Sequence, residues 1–142
     1  MRKTNPWLNS LLAGDGIKRK ALQKEADDLW AESVKLRDKS RCLRCLGTTN
    51  LNAHHIFSRK HKATRYILEN GITLCRHCHK FEAHVDTELF RRWLIESKHL
   101  SQFQYDTLFG LAYGSRQGKP NLPLIIAELR GLRDRMLKEH IP

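Results

Sequence analysis

Cys42-Leu43-Arg44-Cys45, then Leu51-Asn52-Ala53-His54-His55-Ile56, then Asn70-Gly71-Ile72-Thr73-Leu74-Cys75-Arg76-His77-Cys78-His79: these three pieces decide how the chain is read. All four cysteines fall in two Cys-x-x-Cys pairs, Cys42 with Cys45 and Cys75 with Cys78. That spacing lets each pair grip one metal from a tight turn, and thiolates at tetrahedral corners suit Zn²⁺. A shell closed by sulfur has no position for substrate, so this zinc is expected to be structural. In so small a region it would supply much of the folding free energy. Disulfides or free core thiols are the competing reading, and a redox pair would call for a βαβ setting.

Working outward, the pieces read as a small α+β unit. A strand is expected near Leu51–Phe57, with His54 and His55 on opposite sides of it. A basic loop near Ser58–Leu68 follows, then a second strand near Ile72–Leu74 and a short helix from about Arg76. On the N-terminal side, residues 1–14 look irregular. From about Ile17 to Lys39 the pattern suits a helix with Leu22, Ala26, Leu29, Ser33 and Leu36 on one stripe, and Asp15 is a candidate cap. On the C-terminal side three helices are expected. The first runs from about Thr87 to Lys98, burying Leu89, Phe90, Trp93 and Leu94. The second is opened by a Ser101–Gln104 capping box and closed by Gly114. After a polar linker, Ser115–Pro120, the third runs from about Leu122 to His140, with Leu122, Ile125, Ile126, Leu129, Leu132 and Met136 at helical spacing. The chain is therefore divided into a helical extension (1–40), a core (41–85) and a helical region (86–142) that together make one compact, mostly α unit.

Composition narrows the partner. With 26 Lys and Arg against 15 Asp and Glu the net charge is +11, which favours a polyanion. Arg59, Lys60, His61, Lys62 and Arg65 crowd the loop between the strands and are placed to hold phosphates. Lys18–Lys20, Arg41, Arg44, Arg91, Arg92, Arg116 and Lys119 extend the charge, which is otherwise a solvated face. No apolar run approaches the ~20 residues of a membrane span, and the N-terminus makes a poor signal peptide. A reducing, cytoplasmic setting follows.

From Cys42 to His84 the chain resembles the HNH nucleases, which have a ββα-metal fold. The composite that carries the likeness is Cys-x-x-Cys, Ala-His-His-Ile and Asn-Gly-Ile-Thr-Leu-Cys-x-x-Cys-His, and it covers under a third of the chain. The resemblance implies a metal-dependent DNA endonuclease. His55 takes the position of the general base, and His54 that of a ligand to the catalytic divalent ion. Asn70 would position the loop that holds the base, and His79 would complete the metal site. Mg²⁺ or Mn²⁺ is the ion implied, while histidine-rich ligation also suits Zn²⁺, Ni²⁺ or Co²⁺. The implied products carry a 5′-phosphate and a 3′-hydroxyl.

His84 is a further candidate ligand. On a regular helix it stands five positions after His79, off the shared face of an i, i+4 pair, and a capping or phosphate-contact role competes. His61, His77, His99 and His140 read as surface or structural. The flanks are similar to phage recombination nucleases of the NinG (Rap) type: a helix ending Leu36-Arg37-Asp38 before the first knuckle, and a closing basic helix through Ala127-Glu128-Leu129-Arg130-Gly131-Leu132-Arg133. That likeness implies a phage- or prophage-encoded enzyme acting on branched DNA, with His54 before the base as a departure. A branched substrate would suit a homodimer, for which the Leu122–Met136 stripe is a candidate seam. Two alternatives stand beside it. One is a sequence-directed or nicking HNH endonuclease for restriction, homing or DNA packaging. The other is a non-catalytic zinc module that binds nucleic acid, which has no use for His54, His55, Asn70 and His79 together.

Overall fold

The computed structural model describes residues 6–114 and 117–140. Its elements run α1 (Pro6–Arg37), β1 (Leu51–His55), a 3₁₀ turn at Leu68–Asn70, β2 (Gly71–Cys75), a π-helical segment at Cys78–Ala83, α2 (Thr87–Glu96), α3 (Gln102–Tyr113) and α4 (Leu122–Glu139). The architecture is α+β and mostly helical, around one two-stranded antiparallel sheet. Among the described residues no helix is long and apolar enough to cross a membrane.

α1 corrects the expectation of an irregular start. It begins at Pro6, a favoured first helical residue, so Asp15 lies inside the helix and caps nothing. Glycines such as Gly16 lower helix propensity by about 1 kcal/mol each, which is why the stretch read as loop, but Gly16 sits in open space and disturbs no packing. Residues 1–5 of that expectation lie outside the described residues, as do Ser115 and Arg116 of the linker. The helix ends where Lys39 and Ser40 turn to positive φ, 57° and 49°.

The sheet has a helix layer on each face. Opposed residues share a face, so the register Leu51↔Cys75, Asn52↔Leu74, Ala53↔Thr73, His54↔Ile72 and His55↔Gly71 separates the two histidines. Ile72 and Leu74 pack with Phe90, Leu94, Leu100 and Leu108 of the α2–α3 side. The other face meets α1. An added Cβ on Gly71 would stand 2.4 Å from Val34 Cγ2 and 2.7 Å from Trp30 Cζ2, so only glycine lets the helix lie this close. The end of α1 is pinned to β2 by two side chains. Arg37 donates to the Leu68 and Gly71 carbonyls at 2.8 and 2.7 Å, and Asp38 accepts from the Thr73 N–H at 2.8 Å.

α4 lies along α1. Leu122, Ile126 and Leu129 are buried with Ala26, Leu29, Trp30 and Val34, and Arg130–Glu25 and Arg133–Glu32 pair across the seam. The stripe expected as a homodimer seam is therefore already covered within the chain. On α2, Phe90 and Leu94 are buried as expected, but Leu89 faces solvent. The Ser101–Gln104 capping box on α3 is present in both directions.

Candidate active site

The hairpin carries its two ligand-bearing regions at opposite ends. At the Leu51↔Cys75 end, the sulfurs of Cys42, Cys45, Cys75 and Cys78 come within 4.8 Å of one another. Burial disfavours the Cys42 thiolate, yet hydrogen bonds from the backbone of Cys45, Cys75 and Arg44 outweigh it and bring the pKa down to about 7. The Cys78 thiol is pushed up, first by burial and then by the neighbouring sulfurs. Four thiols this close cannot all ionise beside one another, but a divalent cation would neutralise them, and four sulfurs are a donor set that Zn²⁺ accepts.

At the His55↔Gly71 end, the ring nitrogens of His54, His79 and His84 also lie within 4.8 Å of one another, with His79 Nε2 and His84 Nε2 only 3.3 Å apart. His84 reaches this position because the segment is π-helical. In that winding residues i and i+5 face each other, so five positions do the work of four on an α-helix. The expected short helix is there, starting at Arg76, but its pitch is not the regular one on which the His84 geometry was reckoned. Burial, and then the nearby His79, His84 and His55, lower the His54 pKa to about 3. Burial and then His84 lower that of His79. Neutral imidazoles have the lone pairs that a metal requires. Three such donors would leave further positions of an ion open to oxygen.

His55 has a different environment. Its ring stacks on Trp30 of α1, centroids 3.7 Å apart and planes 9° from parallel. Its Nε2 lies 3.0 Å from the Arg65 carbonyl, which only accepts, so Nε2 carries the proton and Nδ1 keeps its lone pair. Burial is the chief cause that lowers the His55 pKa. Trp30 is fixed in turn by donating Nε1–H to the Ile67 carbonyl at 2.9 Å.

Asn70 is fully buried and closes the loop between the strands. Its Oδ1 accepts from the Phe57 N–H at 2.7 Å, and its Nδ2 donates to the Phe57 and Thr64 carbonyls, each at 3.0 Å. Thr64, one of its partners, directly precedes Arg65, whose carbonyl meets His55. Arg65, expected to meet phosphate, has its guanidinium committed to Asp27 through contacts of 2.9 and 2.7 Å. Arg59, Lys60 and Lys62 are exposed. A cleft of about 580 Å³ is lined by His54, His55, His79 and His84, together with Arg59 and Arg91.

The family model described as HNH endonuclease matches residues 41–84. The chain carries an HNH endonuclease domain. The matched stretch spans the four cysteines, the two strands and the four histidines that line the cleft. It supports nuclease activity and a nucleic-acid substrate. Comparison with curated proteins and with solved structures finds no significant match, and nothing found bears on the likeness of the flanks to phage recombination nucleases.

Sequence reasoning did not find Trp30, Asp27, Arg37 or Asp38, all contributed by α1 to the HNH domain or the loop inside it. Trp30 had one legible signal, its place one step from Leu29 on the apolar stripe. Asp27 read as an ordinary charge on a solvated helix, and Arg37 and Asp38 were noted only as the end of that helix, with no role toward the domain.

Proposed function

We propose that the protein is a metal-dependent DNA endonuclease in which His55 is the general base. The observation that carries this is the pairing of two imidazole environments in one cleft. His54, His79 and His84 offer neutral nitrogens to a cation, while His55 is held apart with Nε2–H spent on a carbonyl and Nδ1 free. A divalent ion held by the three histidines would supply positive charge to the phosphate oxygens and to the leaving 3′ oxygen. His55 Nδ1 takes the proton of the attacking water, a role that requires the neutral ring its burial favours. Trp30 and the Arg65 carbonyl keep that ring from turning, and Asn70 keeps the carbonyl in place. Arg59 in the cleft, with Lys60 and Lys62 on the same loop, holds the backbone, while Arg91, though it lines the cleft, has its guanidinium paired with Glu88 at 2.6 and 3.0 Å. Three imidazoles are a donor set better matched to Zn²⁺, Ni²⁺, Co²⁺ or Mn²⁺ than to Mg²⁺, which prefers oxygen. The four cysteines hold a structural Zn²⁺. The products carry a 5′-phosphate and a 3′-hydroxyl.

The test is cleavage of plasmid and linear DNA by purified protein with each of these ions. His55→Ala is expected to lower the rate by roughly 10²–10⁴-fold, the range of a lost general base, with fold and zinc content unchanged. A variant cutting at the parent rate overturns the assignment. Binding without cleavage under every ion would leave a zinc module that holds nucleic acid.

A further inference from the structure

α3 carries aromatic surface that the cleavage chemistry does not use. Leu108 and Ala112 bury the helix, yet Tyr105, Phe109 and Tyr113 recur at i, i+4 and i+8 along another stripe, about 6 Å apart along the axis. Phe109 is 51% exposed and Tyr113 62%. The row starts at the cleft, because Tyr105 is one of its walls. From there Phe57 bridges outward, 5.1 Å from Tyr105 and 6.2 Å from Phe109 between ring centroids. Phe109 and Tyr113 follow at 4.9 Å, and His61 of the basic loop closes on Tyr113 at 4.6 Å. Gln117 locks loop to helix. Its side-chain oxygen accepts from the Ala63 N–H at 2.9 Å, and its amide donates to the Leu111 and Ala112 carbonyls at 3.0 and 2.7 Å.

We propose that this row is a stacking track for unpaired nucleobases, so that the substrate has a single-stranded stretch beside the scissile phosphate. This deepens the endonuclease reading and rests on it. Aromatic faces accept any base, and neighbouring cations hold the phosphates between them. Arg59, Lys60 and Lys62 stand exposed on the loop that the row reaches, and the net charge of +11 selects a polyanion over an apolar protein partner. A duplex stacks its bases at a rise of about 3.4 Å per strand and hides their faces, closer than the 4.9 Å between the rings of Phe109 and Tyr113. Only bases freed from pairing and spread apart can lie against it.

The test compares the parent protein with a Phe109→Leu/Tyr113→Leu double variant, which keeps apolar bulk and removes the ring faces. Anisotropy of a labelled single-stranded oligonucleotide and of a duplex of the same sequence, without added catalytic ion, reads affinity. Thermal melting and zinc content report the fold. The single strand is expected to bind the variant at least about 5-fold more weakly, the lower bound for a single lost base–aromatic stack where two are removed, with duplex affinity within twofold and melting unchanged. Unchanged single-strand affinity overturns the track, and so does an equal loss on both DNAs. Because no cleavage is needed, failure here is distinct from failure of the His55 assignment. If the track is correct, the parent also cuts a duplex bearing a single-stranded branch faster than the fully paired control.

Discussion

His55 is held by a stacked ring, a backbone carbonyl and, one step removed, the amide of Asn70. Each removes a freedom that the general base proposed for this position could not keep. Asn70→Ala tests the outermost of these supports. It would leave the Phe57 N–H and carbonyl without their partner inside a buried loop, while the Thr64 carbonyl would keep only the Ile67 N–H. The expected cost is about 2–4 kcal/mol in urea denaturation, given about 1–3 kcal/mol for an unsatisfied buried group. Under conditions where the variant is still folded, kcat should fall while KM moves little, because the loss is one of orientation and not of contact with DNA. An unchanged kcat would place Asn70 in the fold alone. His54, His55, Asn70 and His79 were legible as single letters because their spacing to the cysteines is short and local. Trp30 and Asp27 were not, since they reach the site from another element across a contact that no local pattern encodes.

At the scale of elements, two features carry the geometry. The π-helical winding of Cys78–Ala83 brings His79 and His84 onto one face. Sequence spacing could not show it, because residue count measures position only once the pitch is known. The second is the seat of β2 against α1. The strands and the capping box were readable from alternation and from Ser101–Gln104, whereas the closeness of helix and sheet at Gly71 depends on what faces it. Gly71→Ala is expected to cost about 1–3 kcal/mol, the usual range for overpacking, since the new Cβ would meet Val34 and Trp30. Cleavage should drop further than that loss of stability explains, as Trp30 is displaced from beneath His55. A variant with the parent's urea midpoint would mean that the helix yields easily at this point.

Across the whole molecule, the HNH domain is braced by parts of the chain outside it. α1 touches both strands and α4 covers α1, so the first and last helices act on a cleft to which neither contributes a candidate ligand. The apolar stripe of α4 was legible from its period, but not its partner, since periodicity states that a face is buried and not against what. Ile126→Asp tests the partner. A charge set among Leu29, Trp30 and Leu129 should lower stability by about 3–5 kcal/mol, and the parent's urea midpoint should not depend on protein concentration. A midpoint that rises with concentration would show that the stripe also joins two chains.

The polarity of the hairpin has a practical consequence. Sulfur sits at one end and imidazole toward the other, with His54 three residue pairs from Leu51↔Cys75, or about 10 Å at the usual strand rise. Cys45 is exposed, so peroxide or an alkylating reagent can reach it from solvent without entering the cleft. Damage there would unclasp the hairpin from its far end and disable the proposed nuclease with every histidine intact. A preparation aged in air is then expected to lose cleavage activity together with the metal proposed for the four cysteines, and fresh catalytic ion alone would not restore it.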